Sequence, residues 1–133
     1  MESPDVRRRT MQAVKSKNTA PELLVRSLTH QMGFRFRLHR KDLPGKPDLV
    51  FPGKRKTIFV HGCFWHGHDC ARGSRVPKNN RDYWTKKIAR NQERDRAACA
   101  ELTSSGWRTF VVWECDLGNE KALKADIRKF LNT

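Results

Sequence analysis

Apolar positions recur along the chain with two different periods, and each change of period marks an element. Residues 1–18 carry charge and no apolar rhythm, and they read as a flexible basic arm. Thr19 is placed to cap a helix that Pro21 and Glu22 favour in its first turn. Leu24, Leu28 and Met32 then fall on one helical face, and Gly33 supplies a stop. Phe34 to Leu38 alternates strictly, as a half-buried strand does. A turn-rich stretch from Lys41 to Pro47 leads to a short strand at 48–51. Pro52-Gly53 turns the chain into a β-branched and aromatic strand at 57–60. The spacing predicts that these three strands form an antiparallel meander.

From Asn80 a charged helix is expected to reach about Ser104, with Trp84, Ile88, Cys99 and Leu102 on or near its inner face and Gly106 ending it. A strand at 107–113 and a helix at about 120–131 complete the chain. Strand 57–60, the long helix and strand 107–113 have the lengths of a βαβ unit, so a right-handed crossover makes the two strands parallel. The expected class is therefore α/β, a small mixed sheet flanked by helices. At 133 residues the chain has room for one domain, expected over 19–133.

Charge narrows the function. Lys and Arg number 28 against 14 Asp and Glu, a net +14, and the usual partner of so basic a chain is nucleic acid. Neither a membrane span nor a signal peptide is legible. The expectation is a soluble protein of the bacterial cytoplasm, monomeric, with its substrate in the nucleoid. Four cysteines without a secretory leader are poor disulfide candidates. Three of them, with histidines close by, point instead to a metal.

The run from His61 to Cys70 carries that chemistry. Zinc takes thiolates and imidazoles in a tetrahedron. Cys63, His68 and Cys70 have the types and the turn length to share one ion. Cys115, just past the second parallel strand, returns to the same sheet end as a fourth ligand. Four protein ligands close a site, so this zinc is expected to be structural. Cys99, mid-helix, reads as a small core residue.

His61 and His66 are then left over, with His66 also open as an alternative zinc ligand. Asp48 lies one hairpin away. A carboxylate and two histidines at strand ends suit phosphodiester hydrolysis, which needs an oxygen ligand for magnesium, a base for water and an acid for the leaving oxygen. Phe64, Trp65 and Trp84 read either as a wedge that inserts between base pairs or as a small core under the zinc loop.

Together these runs carry a resemblance. KSKNTAPE at 15–22, PGKPDLVF at 44–51, IFVHGCFWHGHDC at 58–70, NQERD at 91–95 and GWRTFVVWEC at 106–115 are collinear. They closely resemble the very short patch repair (Vsr) DNA mismatch endonucleases. The resemblance implies a restriction-endonuclease-like fold in which Pro47-Asp48 opens the site and Phe59-Val60-His61 replaces the usual acid-x-Lys. It implies that Asp48 and the main-chain carbonyl of Val60 bind magnesium, that His66 is the base or its orienting partner, and that His61 handles the scissile phosphate. Glu22 is implied to approach from the first helix, holding His66 or a water. The zinc set implied is again Cys63, His68, Cys70 and Cys115. Phe64, Trp65 and Trp84 are the implied wedge, with further DNA contacts from Met11, Lys15 and Lys17 of the arm and from Asn91. Where the family often has Thr, this chain has Val60; a carbonyl ligand survives that change and a hydroxyl contact does not.

The resulting expectation is a magnesium-dependent nickase cutting 5′ to the T of a T·G mismatch left by deaminated 5-methylcytosine. A cytosine-5 methyltransferase and mismatch-repair proteins are its expected functional partners. Two other readings use the same residues: a zinc-stabilised DNA-binding module without catalysis, and a restriction-like nickase of different substrate preference.

Overall fold

The structure, a computed structural model, describes residues 19–38, 40–70 and 76–133. The expected arm, with Met11, Lys15 and Lys17, lies outside the described residues. Three strands form one sheet in the order β1 (Leu49–Phe51), β2 (Lys56–His61) and β3 (Arg108–Trp113). β1 runs antiparallel to β2, with Leu49 opposite Ile58. β2 and β3 run parallel, with Lys56 opposite Arg108 and His61 opposite Trp113. The sheet is therefore mixed, as the βαβ spacing requires. Three helices accompany it: α1 (Ala20–Gln31), α2 (Arg81–Ser104) and α3 (Glu120–Asn132).

Both faces of β2 are covered, and its burial is nearly continuous for that reason. Successive side chains on a strand point to opposite faces. Ile58 joins Val25 and Leu28 of α1 and Leu123, Ile127 and Leu131 of α3 in the main core, with Val60 packed against it. Phe59 points the other way. There Gly45 runs so close to α2 that a Cβ on it would sit 2.7 Å from that of Ala98 and 3.1 Å from the Phe59 ring. With φ at +73°, that position suits glycine on both counts.

Two expectations need correction. The strand at 34–38 is reduced to one antiparallel bridge, Arg37 to Val50, made by a reciprocal pair of main-chain hydrogen bonds of 2.8 and 3.0 Å. Its alternation survives, with Phe34, Phe36 and Leu38 half-buried and the arginines outside. The partner strand spans only three residues between Pro47 and Pro52, which donate no main-chain N–H, so the ladder has little to extend along. On α2, Ile88, Ala98 and Leu102 are the buried residues and Trp84 is half-buried near the same face, whereas Cys99, expected in the core, is only half-buried. The helix is held on its inner side by the tight passage at Gly45, which selects Ala98 over its neighbour Cys99.

The end of α2 follows local chemistry closely. Gly106, at φ +86°, donates to Thr103 O at 3.1 Å, and Trp107 donates to Leu102 O at 2.9 Å. This pair of bonds is a Schellman cap, and it turns the chain directly into β3. By contrast, Thr19 at the start of α1 makes no side-chain capping bond.

At the other end of the sheet, Lys56 is buried beneath the end of α3. Its Nζ donates to Phe130 O at 2.7 Å and to Leu131 O at 3.3 Å, lying 5.4 Å from the Phe130 ring centroid. A cation there satisfies helix-end carbonyls and complements the helix dipole. Lys56→Met keeps the apolar stem and removes those bonds. It is expected to lower unfolding free energy by about 1–3 kcal/mol in urea denaturation, with the slope against urea unchanged.

Candidate active site and thiolate cluster

The parallel ladder ends at His61 and Trp113, and the chemistry-bearing residues gather beyond that edge. Cys63, His68, Cys70 and Cys115 place one donor atom each within 4.8 Å of all the others. Cys63 leaves β2 in the loop, while Cys115 belongs to the 3-10 turn Glu114–Gly118 that leaves β3. The strand pairing thus carries two ligands to one place from 52 residues apart.

The donor set fits a borderline cation. The Cys115 sulfur stands 3.5 Å from His68 Nδ1, close to the donor separation of about 3.4–3.8 Å around a tetrahedral zinc. The Cys115 main-chain N–H donates to the Cys63 sulfur at 3.3 Å, an arrangement that suits a thiolate. The other nitrogen of His68 faces Asp69 at 3.5 Å, which turns Nδ1 toward the cysteine cluster, where it could serve a cation. Burial pushes the Cys63 thiol up to about 12, with the Cys115 N–H opposing. Burial also raises the Cys115 thiol. Thiolates at this edge therefore depend on a cation to hold them.

His61 and His66 form a second group. Their rings stack face to face, with centroids 3.8 Å apart and planes within 4°. His66 Nδ1 makes a 2.6 Å hydrogen bond with Asp95 Oδ2 from α2. His61 is buried, and that burial, reinforced by His66 and opposed by Asp95, lowers its pKa to about 4. It is a neutral imidazole at physiological pH. Trp113 stands between the two groups, stacked on His68 at 4.2 Å and edge-on to His61 at 5.2 Å.

Asp48 enters from the other side of β2. One of its oxygens accepts the Val60 N–H at 2.6 Å, so the contact with Val60 seen here is through the amide. Burial raises the Asp48 carboxyl to about 7; the Val60 hydrogen bond lowers it, the Glu22 charge raises it and the Arg26 charge lowers it. Glu22 bonds Arg26 at 3.3 Å, and the carboxylate bonded to His66 Nδ1 is Asp95. Two neighbouring acids, one of them ionising only near neutrality, form a place where a hard cation with oxygen ligands fits.

The loop between the clusters is clamped by α2. Asn91 Nδ2 donates to Trp65 O at 2.8 Å, and Gln92 Nε2 donates to Gly67 O at 3.2 Å. Gly67 has φ +62°, and a Cβ there would lie 2.5 Å from Gln92 Nε2 and 2.6 Å from Ile88 Cγ2. Phe64, Trp65 and Trp84 meet edge to face at 5.2–5.7 Å. In the protein alone they pack on one another. Lys87 Nζ lies 5.7–5.9 Å from the rings of Trp65, Tyr83 and Trp84, a cation over aromatic faces.

Sequence reasoning passed over Asp95, Trp113, Arg26 and Lys87. Asp95 left a readable signal. Positions 88, 91, 95, 98 and 102 share one helical face, and an acid on that face needs a partner. The other three acquire their neighbours only through packing between elements.

A buried acid, paired histidines and an aromatic loop, on a chain this basic, are the equipment of a nuclease. The family model described as DNA mismatch endonuclease Vsr matches residues 1–72. The Type II nicking enzyme V.XorIIP of Xanthomonas oryzae pv. oryzae is 56% identical over 130 residues, covering 98% of this chain and 95% of that protein. The Type II nicking enzyme V.NmeAIP of Neisseria meningitidis is 45% identical over 122 residues, covering 92% and 84%. The DNA mismatch endonuclease Vsr of Escherichia coli is 43% identical over 116 residues, covering 86% and 74%. The chain belongs to the Vsr family of DNA mismatch endonucleases. By that membership it is a DNA endonuclease.

Two outcomes test the geometry. Cys115→Ser is expected to lose most bound zinc in atomic absorption of the purified protein and to melt well below the parent. Equal zinc content in both would remove Cys115 from the cluster. The second concerns pH. Asp48 ionises at about 7 when folded and near 3.8 in its ordinary state, so between these values the folded chain holds a proton that the unfolded chain has released. Stability from this group is therefore lost as pH rises from about 4 to 7. In buffer without magnesium, Asp48→Asn should be more stable than the parent at pH 8, by something on the order of 2–4 kcal/mol. That advantage should vanish at pH 4. An equal difference at both pH values in thermal melts would refute the assignment.

Proposed function

We propose that the protein nicks duplex DNA on the 5′ side of the T in a T·G mismatch. The fold is read as a restriction-endonuclease-like domain over 19–133, pinned by a structural zinc on Cys63, His68, Cys70 and Cys115. The observation that carries the reading is the His66–Asp95 bond at the same sheet end as Asp48 and the aromatic loop. It supplies an oriented base, an acidic cation site and a means of opening the duplex within one edge.

Asp48, with the main chain at Val60 and with Glu22 nearby, would hold magnesium. Bound there, the ion would neutralise charge on the scissile phosphate and steady the leaving oxygen. Asp95 fixes the His66 ring through Nδ1, which leaves Nε2 to take a proton from the attacking water. As the imidazolium forms, the Asp95 carboxylate stabilises it. His61, neutral and buried, offers an N–H to the phosphate without competing for that proton.

Selectivity follows from the cost of deformation. A wobble pair is easier to displace than a matched pair, so Phe64, Trp65 and Trp84 gain entry there at the lowest cost. To insert, they must leave their packing on one another. Asn91, Met11, Lys15 and Lys17 are read as additional DNA contacts. The lesion is the product of 5-methylcytosine deamination, which links the protein functionally to a cytosine-5 methyltransferase and to mismatch repair. Among the described residues no helix is long and apolar enough to cross a membrane. A monomer acting in the bacterial cytoplasm is the corresponding proposal.

The test uses end-labelled duplexes that differ only in one T·G or C·G pair, across flanking contexts, with the zinc-loaded protein and magnesium. Nicking 5′ to the mismatched T is expected, abolished by Asp48→Ala and by leaving out magnesium. Equal cutting of the matched duplex would keep a nickase and overturn mismatch selectivity. Tight DNA binding without cutting in any context would favour the binding-module reading.

A further inference from the structure

His61, His66 and Asp95 each offer a donor atom within 4.8 Å of the others. None of them belongs to the thiolate cluster, from which Trp113 separates them. His61 is only 7% exposed, and its Nδ1 is buried with no hydrogen-bond partner. Buried polar nitrogens nearly always have partners, and an exception calls for an explanation such as an ion. Two imidazoles and a carboxylate form a donor set suited to zinc, nickel or cobalt. Magnesium, which prefers an octahedron of oxygens, suits it poorly.

We propose that His61, His66 and Asp95 form a second, inhibitory site for a transition-metal ion such as zinc. The geometry explains why occupancy and catalysis exclude each other. The stacked rings, 3.8 Å apart and within 4° of parallel, hold their in-plane lone pairs in parallel planes. Nitrogens sharing one tetrahedral ion stand about 3.3 Å apart with converging lone pairs. The ion therefore enters by tilting the rings out of their stack and redirecting the groups of the 2.6 Å His66–Asp95 bond. A His66 lone pair engaged by metal takes no proton from water. The inhibitory consequence rests on the reading of His66 as the base; the metal site itself does not. Asp48, facing Val60, is outside the donor set, so magnesium and the inhibitory ion occupy different ligands.

The test starts from full-length protein carrying one equivalent of zinc and adds further zinc during equilibrium dialysis. A second ion is expected to bind the parent and to bind at least tenfold more weakly to Asp95→Asn and to His66→Gln. The first equivalent should be retained by both variants. With cobalt as the second ion, the spectrum should lack the sulfur charge-transfer bands of a thiolate site. Nicking of the T·G duplex in saturating magnesium should fall in step with second-site occupancy. Failure of the parent to bind a second ion, or equal binding by both variants, overturns the site. Binding of the second ion without loss of nicking overturns the inhibition. A protein that binds the second ion yet nicks no DNA supports the metal site and refutes the proposed function instead.

Discussion

Parallel pairing of β2 with β3 sets His61 opposite Trp113, and most of the functional edge depends on that register. One strand continues into the loop that carries Cys63, His66, His68 and Cys70. The other continues into the turn that carries Cys115. A slip of one residue would reverse every side chain on β2. His61 would then point toward the main core and Val60 toward α2. The register is protected because β2 is buried on both faces, with Ile58 and Phe59 fitted to different partners.

Apart from Phe64 and Trp65, which pack on Trp84, the loop from Gly62 to Cys70 has little apolar surface with which to fold itself. Its order comes from three sources that act together. The thiolate cluster would tie it to β3 through a cation, the inner face of α2 holds its main chain through Asn91 and Gln92, and Trp113 fills the space between the histidines. Gly67 is indispensable to this arrangement, since a Cβ would meet both Gln92 and Ile88. The element that clamps the loop also carries Asp95, so ordering the loop also fixes the His66 ring.

Electrostatics at the edge are arranged in opposite senses only a few residues apart. Asp48 is held near half-ionised at neutral pH, whereas His61 stays neutral. Both shifts arise chiefly from burial, which disfavours charge of either sign. On the proposed function, a cation would relieve the first and a phosphate would supply a partner for the second. The surplus of +14 on the whole chain draws the polyanion in, while the acidic residues at the edge favour a metal there.

Much of this was legible in the chain itself. The period of apolar residues marked the helices, because each must bury one face against a neighbour, and apolar runs marked β2, which is covered on both faces, and β3. The capping chemistry of Gly106 and the lengths between 57 and 113 were enough to indicate a parallel pair. Ligand types in the run 61–70, with Cys115 beyond the second strand, pointed to one cluster for the same topological reason. Other features depended on contacts across elements. The 34–38 segment had the right alternation but met a partner too short to pair with it. Cys99 had a core spacing, yet the passage of Gly45 selected Ala98. Glu22 was expected to hold His66 or a metal-bound water; the carboxylate on His66 Nδ1 is Asp95, which α2 carries under the loop. Local sequence carries period, turn chemistry and ligand type, which are properties of neighbouring residues. Which carboxylate meets which histidine is a long-range fact, decided only when the elements close on one another in three dimensions.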